Sequence, residues 1–157
     1  MRGVIYDKAD EVVEILRNAD TPLTTKEVIL RSAHSWQQPV IVGRYLTPLY
    51  EVIQADRGQY IHIDRLGLTV AEIRRIAAWG AELLLGERRQ VDGPVLFELY
   101  RETNLPQRVE NALQLVSIVA KHPDVRRISN NLQLAHTSTF DETELFLAAT
   151  DPDLALQ

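Results

Sequence analysis

The chain has 157 residues, of which 45% are hydrophobic and 25% charged, an ordinary globular composition and enough length for one domain or two small ones. It has no cysteine, which excludes a disulfide framework, a thiol nucleophile and a thiolate metal site; an intracellular, cytoplasmic protein is the expectation. The net charge of −5 is unevenly placed: residues 137–157 hold Asp141, Glu142, Glu144, Asp151 and Asp153 and no Lys or Arg, and removing these five from the 22 acids leaves 17 against 17 Lys and Arg.

The opening MRGVIYDKADEVV reaches Asp7, Asp10 and Glu11 without an apolar run, so no signal peptide is expected there. No stretch approaches the roughly 18 apolar residues of a membrane span. Residues 7–18, DKADEVVEILRN, place Ala9, Val12, Val13 and Leu16 on one stripe of an amphipathic helix. Thr24-Thr25-Lys26-Glu27 fits a capping box, and a second helix over about 25–33 follows, burying Val28 and Ile29. Residues 34–46 are apolar in patches and broken by Pro39 and Gly43. Thr47-Pro48 reads as an N-cap and first-turn pair that begins a short third helix; the alternative is a helix from about 41 kinked at Pro48. Asp56-Arg57-Gly58 is a turn, and residues 59–64 alternate polar and apolar as a half-buried strand does.

Thr69-Val70-Ala71-Glu72 is a second capping box, ahead of a long helix with Ile73, Ile76, Ala77, Leu83 and Leu84 inward. Gly93-Pro94 begins another helix, with Leu96, Phe97 and Tyr100 apolar, and Asn104-Leu105-Pro106 turns into the stretch around which the second half is organised. There Val109, Ala112, Leu113, Val116 and Val119 recur at helical spacing, while Gln107, Asn111, Gln114, Ser117 and Lys121 fall between them, which predicts a helix over 107–121 with one core face and one amide-rich face. His122-Pro123 stops it, and VRRI, SNN and LQL then read as strand, turn and strand. Residues 139–149 are expected to form a short helix with Leu145, Phe146 and Leu147 apolar, and the chain is expected to fray beyond Thr150.

Three helices followed by a hairpin thus occur twice, over about 7–66 and 69–136. This order resembles tandem winged helix-turn-helix proteins, and ILRNADTPLTTKEVI with the later Thr47-Pro48 and Gly58-Gln59-Tyr60-Ile61 is similar to HARE-type winged helices. The resemblance implies a mainly α fold with small β-hairpins, divided into a first winged-helix unit (1–66), a second with a long linking helix (67–136) and an acidic tail (137–157). It implies a recognition helix and a wing in each unit.

Amides and a few cations suit the major groove, where Gln and Asn bond adenine edges and Arg bonds guanine. The expected DNA-binding residues are therefore Gln107, Arg108, Asn111, Gln114, Ser117 and Lys121 on the second unit's helix, and Arg126, Arg127 and Asn130 on its hairpin. Arg44, Thr47, Arg57 and Gln59 are their weaker counterparts in the first unit. The competing reading of each is an ordinary solvated face.

A double-stranded DNA-binding transcriptional regulator or accessory subunit, with a homodimer possible, is the leading expectation. A winged-helix module for protein interaction, docking through Trp36 or the C-terminal tail, is its rival. No enzyme, cofactor or metal site is expected: His34, His62, His122 and His136 lack paired-ligand spacing, and the glycines form no phosphate-binding loop.

Overall fold

The computed structural model describes residues 8–36, 39–86, 90–128 and 131–134. Asn130, Gln37, Gln38, Arg88, Arg89, His136 and the whole acidic tail, with its expected helix over 139–149, lie outside the described residues.

Helix α1 (Lys8–Arg17) has Asp10 and Glu11 in its first turn and Arg17 in its last, each sign matched to the helix dipole, and it buries Val12, Val13 and Leu16. Strand β1 is only Leu23–Thr24. Helix α2 (Thr25–Arg31) starts at the expected capping box: the Glu27 N–H donates to Thr24 Oγ1 at 3.1 Å and the Thr24 N–H to Glu27 Oε1 at 2.8 Å. It stops at Arg31, and the following turn is tied back to α1 because the Glu11 carboxylate accepts from Ser32 Oγ, from the Ala33 N–H at 2.6 Å and from His34 Nδ1 at 2.9 Å. Burial raises the proton affinity of Glu11, but these donors outweigh it and hold the carboxyl below its ordinary value.

Helix α3 is Pro39–Leu46, so the third helix ends just where it was expected to begin. Pro39, rather than Pro48, lies in the opening turn. The Thr47 hydroxyl donates to the Gly43 carbonyl at 2.8 Å, closing the helix instead of starting one. The residues that follow form β2 (Val52–Asp56), which pairs antiparallel with β3 (Gln59–His62) around a bulge and Gly58, whose φ of 72° suits the tip of the hairpin. A 3-10 turn, Ile63–Leu66, leads out.

The second half repeats the order. Helix α4 (Val70–Leu85) begins at the Thr69/Glu72 capping box. Strand β4 (Gln90–Asp92) precedes α5 (Gly93–Arg101), for which Asp92 is the N-cap, and α6 (Ala112–Val119) precedes the hairpin β5 (Val125–Ile128) and β6 (Asn131–Leu134). Each half therefore runs helix, strand, helix, helix, strand, strand, with antiparallel sheets ordered β1-β3-β2 and β4-β6-β5. The short first strand of each half carries too few residues to show an alternating pattern, so neither was expected.

Helix α6 is much shorter than the expected 107–121. Asn111 is its N-cap, accepting from the Gln114 N–H at 2.9 Å, while Gln114 Oε1 turns back to accept from the Glu110 N–H at 2.9 Å. The preceding segment is held by buried Tyr100, whose hydroxyl donates to the Pro106 carbonyl and accepts from the Val109 N–H at 3.4 Å.

Two hydrophobic cores result. One joins Val12, Val13, Leu16, Val28, Val42, Leu46 and Val52 of the first half. The other joins Ile73, Ile76, Leu84, Leu96, Leu115, Ile118 and Leu132 of the second half with Ile53, Ala55, Ile61 and Ile63. Neighbouring residues Val52 and Ile53 point to opposite cores, because successive strand side chains alternate. The β2–β3 hairpin is thus shared between them.

Helices α4 and α6 meet at Gly80, where a Cβ would lie 2.5 Å and 2.7 Å from the two γ-methyls of Val119. Gly→Ala inside a helix ordinarily stabilises. Here Gly80→Ala should instead destabilise the chain by about 1–3 kcal/mol through overpacking, read by denaturant unfolding. Adding Val119→Ala should recover part of that loss; additive costs would dispose of the contact.

Candidate interaction surface

Six successive residues of α6, Gln114 to Val119, are buried. The apolar side faces α4 and α5, and the polar side meets β2. Gln114 is 2% exposed and Ser117 8% exposed, so these two members of the expected solvent-facing stripe are internal, while Lys121 is half-buried and Gln107 and Asn111 are exposed. The Ser117 hydroxyl accepts from the Gln54 backbone N–H at 2.9 Å, satisfying a donor on the β2 strand.

The other expected contact residues divide by position. Gln107 and Arg108 precede α6 rather than lying on it. The Gln107 amide donates to the carbonyls of Tyr100 at 3.0 Å and Leu105 at 3.1 Å, and Arg108 extends over Gly67, where a Cβ would meet its Nη1 at 2.7 Å. Asn111 spends its side-chain oxygen on the helix cap.

Lys121 is half-buried past the end of α6, its Nζ donating to the Thr47 carbonyl at 2.8 Å, while the Tyr50 hydroxyl donates to the Lys121 carbonyl at 3.4 Å. On β5, Arg127 is half-buried and its Nη1 donates to Gln54 Oε1 at 3.0 Å, whereas Arg126 and Ile128 are exposed. The structure therefore gathers Thr47, Ser117, Lys121 and Arg127 at the junction of the halves, with Gln54 and Tyr60 completing the group. Reading residues 52–56 as helix hid Gln54; the run VIQAD, apolar on both sides of a single amide, is the signal that could have found it.

Arg44 on α3, with Thr47 just after it, and Arg57 at the tip of the first hairpin are exposed; Gln59 is half-buried opposite Thr24. The α2–α3 pair also exposes two apolar side chains, Leu30 at 84% and Tyr45 at 38%. Trp36, expected as a free contact, is half-buried: its indole N–H donates to Ser32 Oγ at 2.9 Å and its ring meets Tyr45 edge-on at 5.1 Å. It props Tyr45 outward rather than projecting itself.

Ser32, His34 and Glu11 are close, but hydroxyl and imidazole both bind the carboxylate and the hydroxyl is not presented to the ring, so the trio anchors a turn rather than activating a nucleophile. His62 is buried, its Nδ1 accepting from the Asp64 N–H at 3.0 Å, and burial holds the imidazole below its ordinary value against the pull of Asp64. Among the described residues no group of three His, Asp or Glu could hold a metal ion, and no helix is long and apolar enough to cross a membrane. Comparison of the chain with known protein families, curated proteins and solved structures finds no match.

Ser117→Ala should cost about 1–3 kcal/mol by stranding the Gln54 N–H, seen as a lowered midpoint of denaturant unfolding; an unchanged midpoint would mean water replaces the hydroxyl. Burial, opposed by Glu51 and reinforced by Arg127, pushes the Lys121 ammonium from 10.5 down to about 7. Between those values the unfolded chain holds a proton that the folded chain has released, so stability should rise with pH, with a slope approaching about 1.4 kcal/mol per pH unit. Unfolding from pH 7 to 9 should show that rise in the wild type and a flatter profile in Lys121→Met.

Proposed function

We propose that this chain is a non-enzymatic interaction module, two winged-helix units joined through the first unit's hairpin, which docks onto a protein partner within a larger assembly. The observation that carries the reading is the burial of α6. The helix that a second winged-helix unit would place in a major groove spends Ser117 on Gln54, and the chain beyond it spends Lys121 on Thr47. A buried helix face is not available to base edges.

The exposed surface of α2 and α3 supports protein docking instead. Leu30 and Tyr45 are exposed there alongside Arg31 and Arg44, and aromatic and Arg side chains beside apolar ones are the composition of binding hot spots. The neutral body of the chain also offers little of the basic field on which DNA affinity rests.

Duplex DNA is the second reading, supported by the exposed Arg44 and Arg57 of the first unit and Arg108 and Arg126 of the second. Fluorescence anisotropy with labelled duplex across a salt series separates the two. The module reading expects no salt-steep binding; steep binding lost in Arg44→Ala/Arg57→Ala would replace it with a first-unit DNA binder. Cross-linking in the source cells, followed by the same experiment with Leu30→Asp/Tyr45→Ala, should show a discrete partner lost in the variant while circular dichroism stays unchanged. If light scattering reports a dimer that this variant dissolves, the partner is a second copy of the chain.

A further inference from the structure

Between the two halves lies a cavity of about 310 Å³, with Leu46, Val52 and Ala120 among its walls. Its polar lining is Thr47, Gln54, Tyr60, Ser117, Lys121 and Arg127, so a lysine amine and a guanidinium face it and no carboxylate lines it. The hydrogen bonds within this lining leave it rich in donors. Gln54 Oε1 accepts from Arg127, which turns the Gln54 amide NH₂ to other acceptors, and Ser117 Oγ accepts from the Gln54 N–H, which leaves its own proton to give. The Tyr60 hydroxyl lies near Gly43, where a Cβ would stand 3.5 Å from it, and it adds a further donor.

We infer that this cavity binds the oxyanion of a small molecule, a phosphomonoester above all, with its apolar remainder against Leu46, Val52 and Ala120. A lysine amine, a guanidinium and several neutral donors converging on one partly open pocket match the many acceptor sites of a phosphoryl group, and Arg adds the planar fork that phosphate accepts. The volume is at the small end of ligand sites, which selects a compact metabolite over a polymer. Burial favours the neutral Lys121 amine, and a bound dianion would favour its protonated form. Because the lining comes from β2, β3 and the end of α3 on one side and from α6, β5 and Lys121 on the other, an occupant would clamp the halves together. This site is separate from the α2–α3 surface, so it stands or falls independently of the docking reading.

The test is titration of the full chain with phenyl phosphate, inorganic phosphate and benzoate at constant ionic strength set by sodium chloride, followed by calorimetry and by backbone amide NMR. Saturable binding of phenyl phosphate is expected, at least tenfold tighter than benzoate, with shifts centred on Thr47, Gln54, Ser117 and Lys121. Lys121→Met and Arg127→Gln should each weaken it by tenfold or more, while Arg75→Ala, on the exposed face of α4, should not. Should either junction variant fail to fold, the location of the wild-type shifts decides alone. Shifts that spread over surface cations, a response no different from added chloride, or equal binding of benzoate would overturn the phosphoryl assignment. A short duplex DNA that shifts the same amides more tightly than phenyl phosphate would overturn the small-molecule assignment.

Discussion

The β2–β3 hairpin has a core on each side, and most of what distinguishes this molecule follows from that. An antiparallel hairpin packed on a single core leaves its other face to water. Here Val52 enters the core under α1 and α3, while Ile53, Ala55, Ile61 and Ile63 enter the core under α4 and α6. Each apolar side chain so buried contributes about 1.5–3 kcal/mol relative to exposure. Pulling the halves apart would expose four or more of them together with the Gln54 N–H and the Ser117 hydroxyl.

Helix α6 completes that arrangement and is altered by it. Enclosed by α4, α5 and β2, it holds only small polar groups that can be satisfied internally, and Gln114 and Ser117 are each satisfied by a backbone N–H. Its close approach to α4 depends on Gly80, and its close approach to α5 on Gly93, where a Cβ would lie 3.2 Å from Val116 Cγ2. Packing this tight removes Gln114 and Ser117 from solvent, while Gln107, Arg108 and Asn111 before the helix stay exposed.

The junction cavity and the docking surface differ in kind. The first is a small, partly open pocket lined by donors that include Lys121 and Arg127; the second is exposed and partly apolar. They share no residue: the cavity takes Leu46 and Thr47 at the end of α3, and the exposed surface takes Leu30, Arg31, Arg44 and Tyr45.

Much of the fold was legible in the residues because local signals and tertiary contacts agree there. The capping boxes at Thr24/Glu27 and Thr69/Glu72, the stripe Val12, Val13 and Leu16, the long helix from Val70 and the second hairpin are set by neighbours a few positions apart. Residues 47–56 and 105–121 were misread because their patterns are ambiguous at short range. Val52 and Ile53 are apolar on both faces of one strand, which imitates a helix, and Ser117 looks solvated until β2 is laid across it. Sequence alone determined the capped starts of α2 and α4, the absence of cysteine chemistry and the concentration of acid in the last 21 residues. Only the tertiary structure decided which faces are outside, because whether a polar side chain meets water or a backbone N–H is settled by residues some 60 positions away, as Ser117 and Gln54 are.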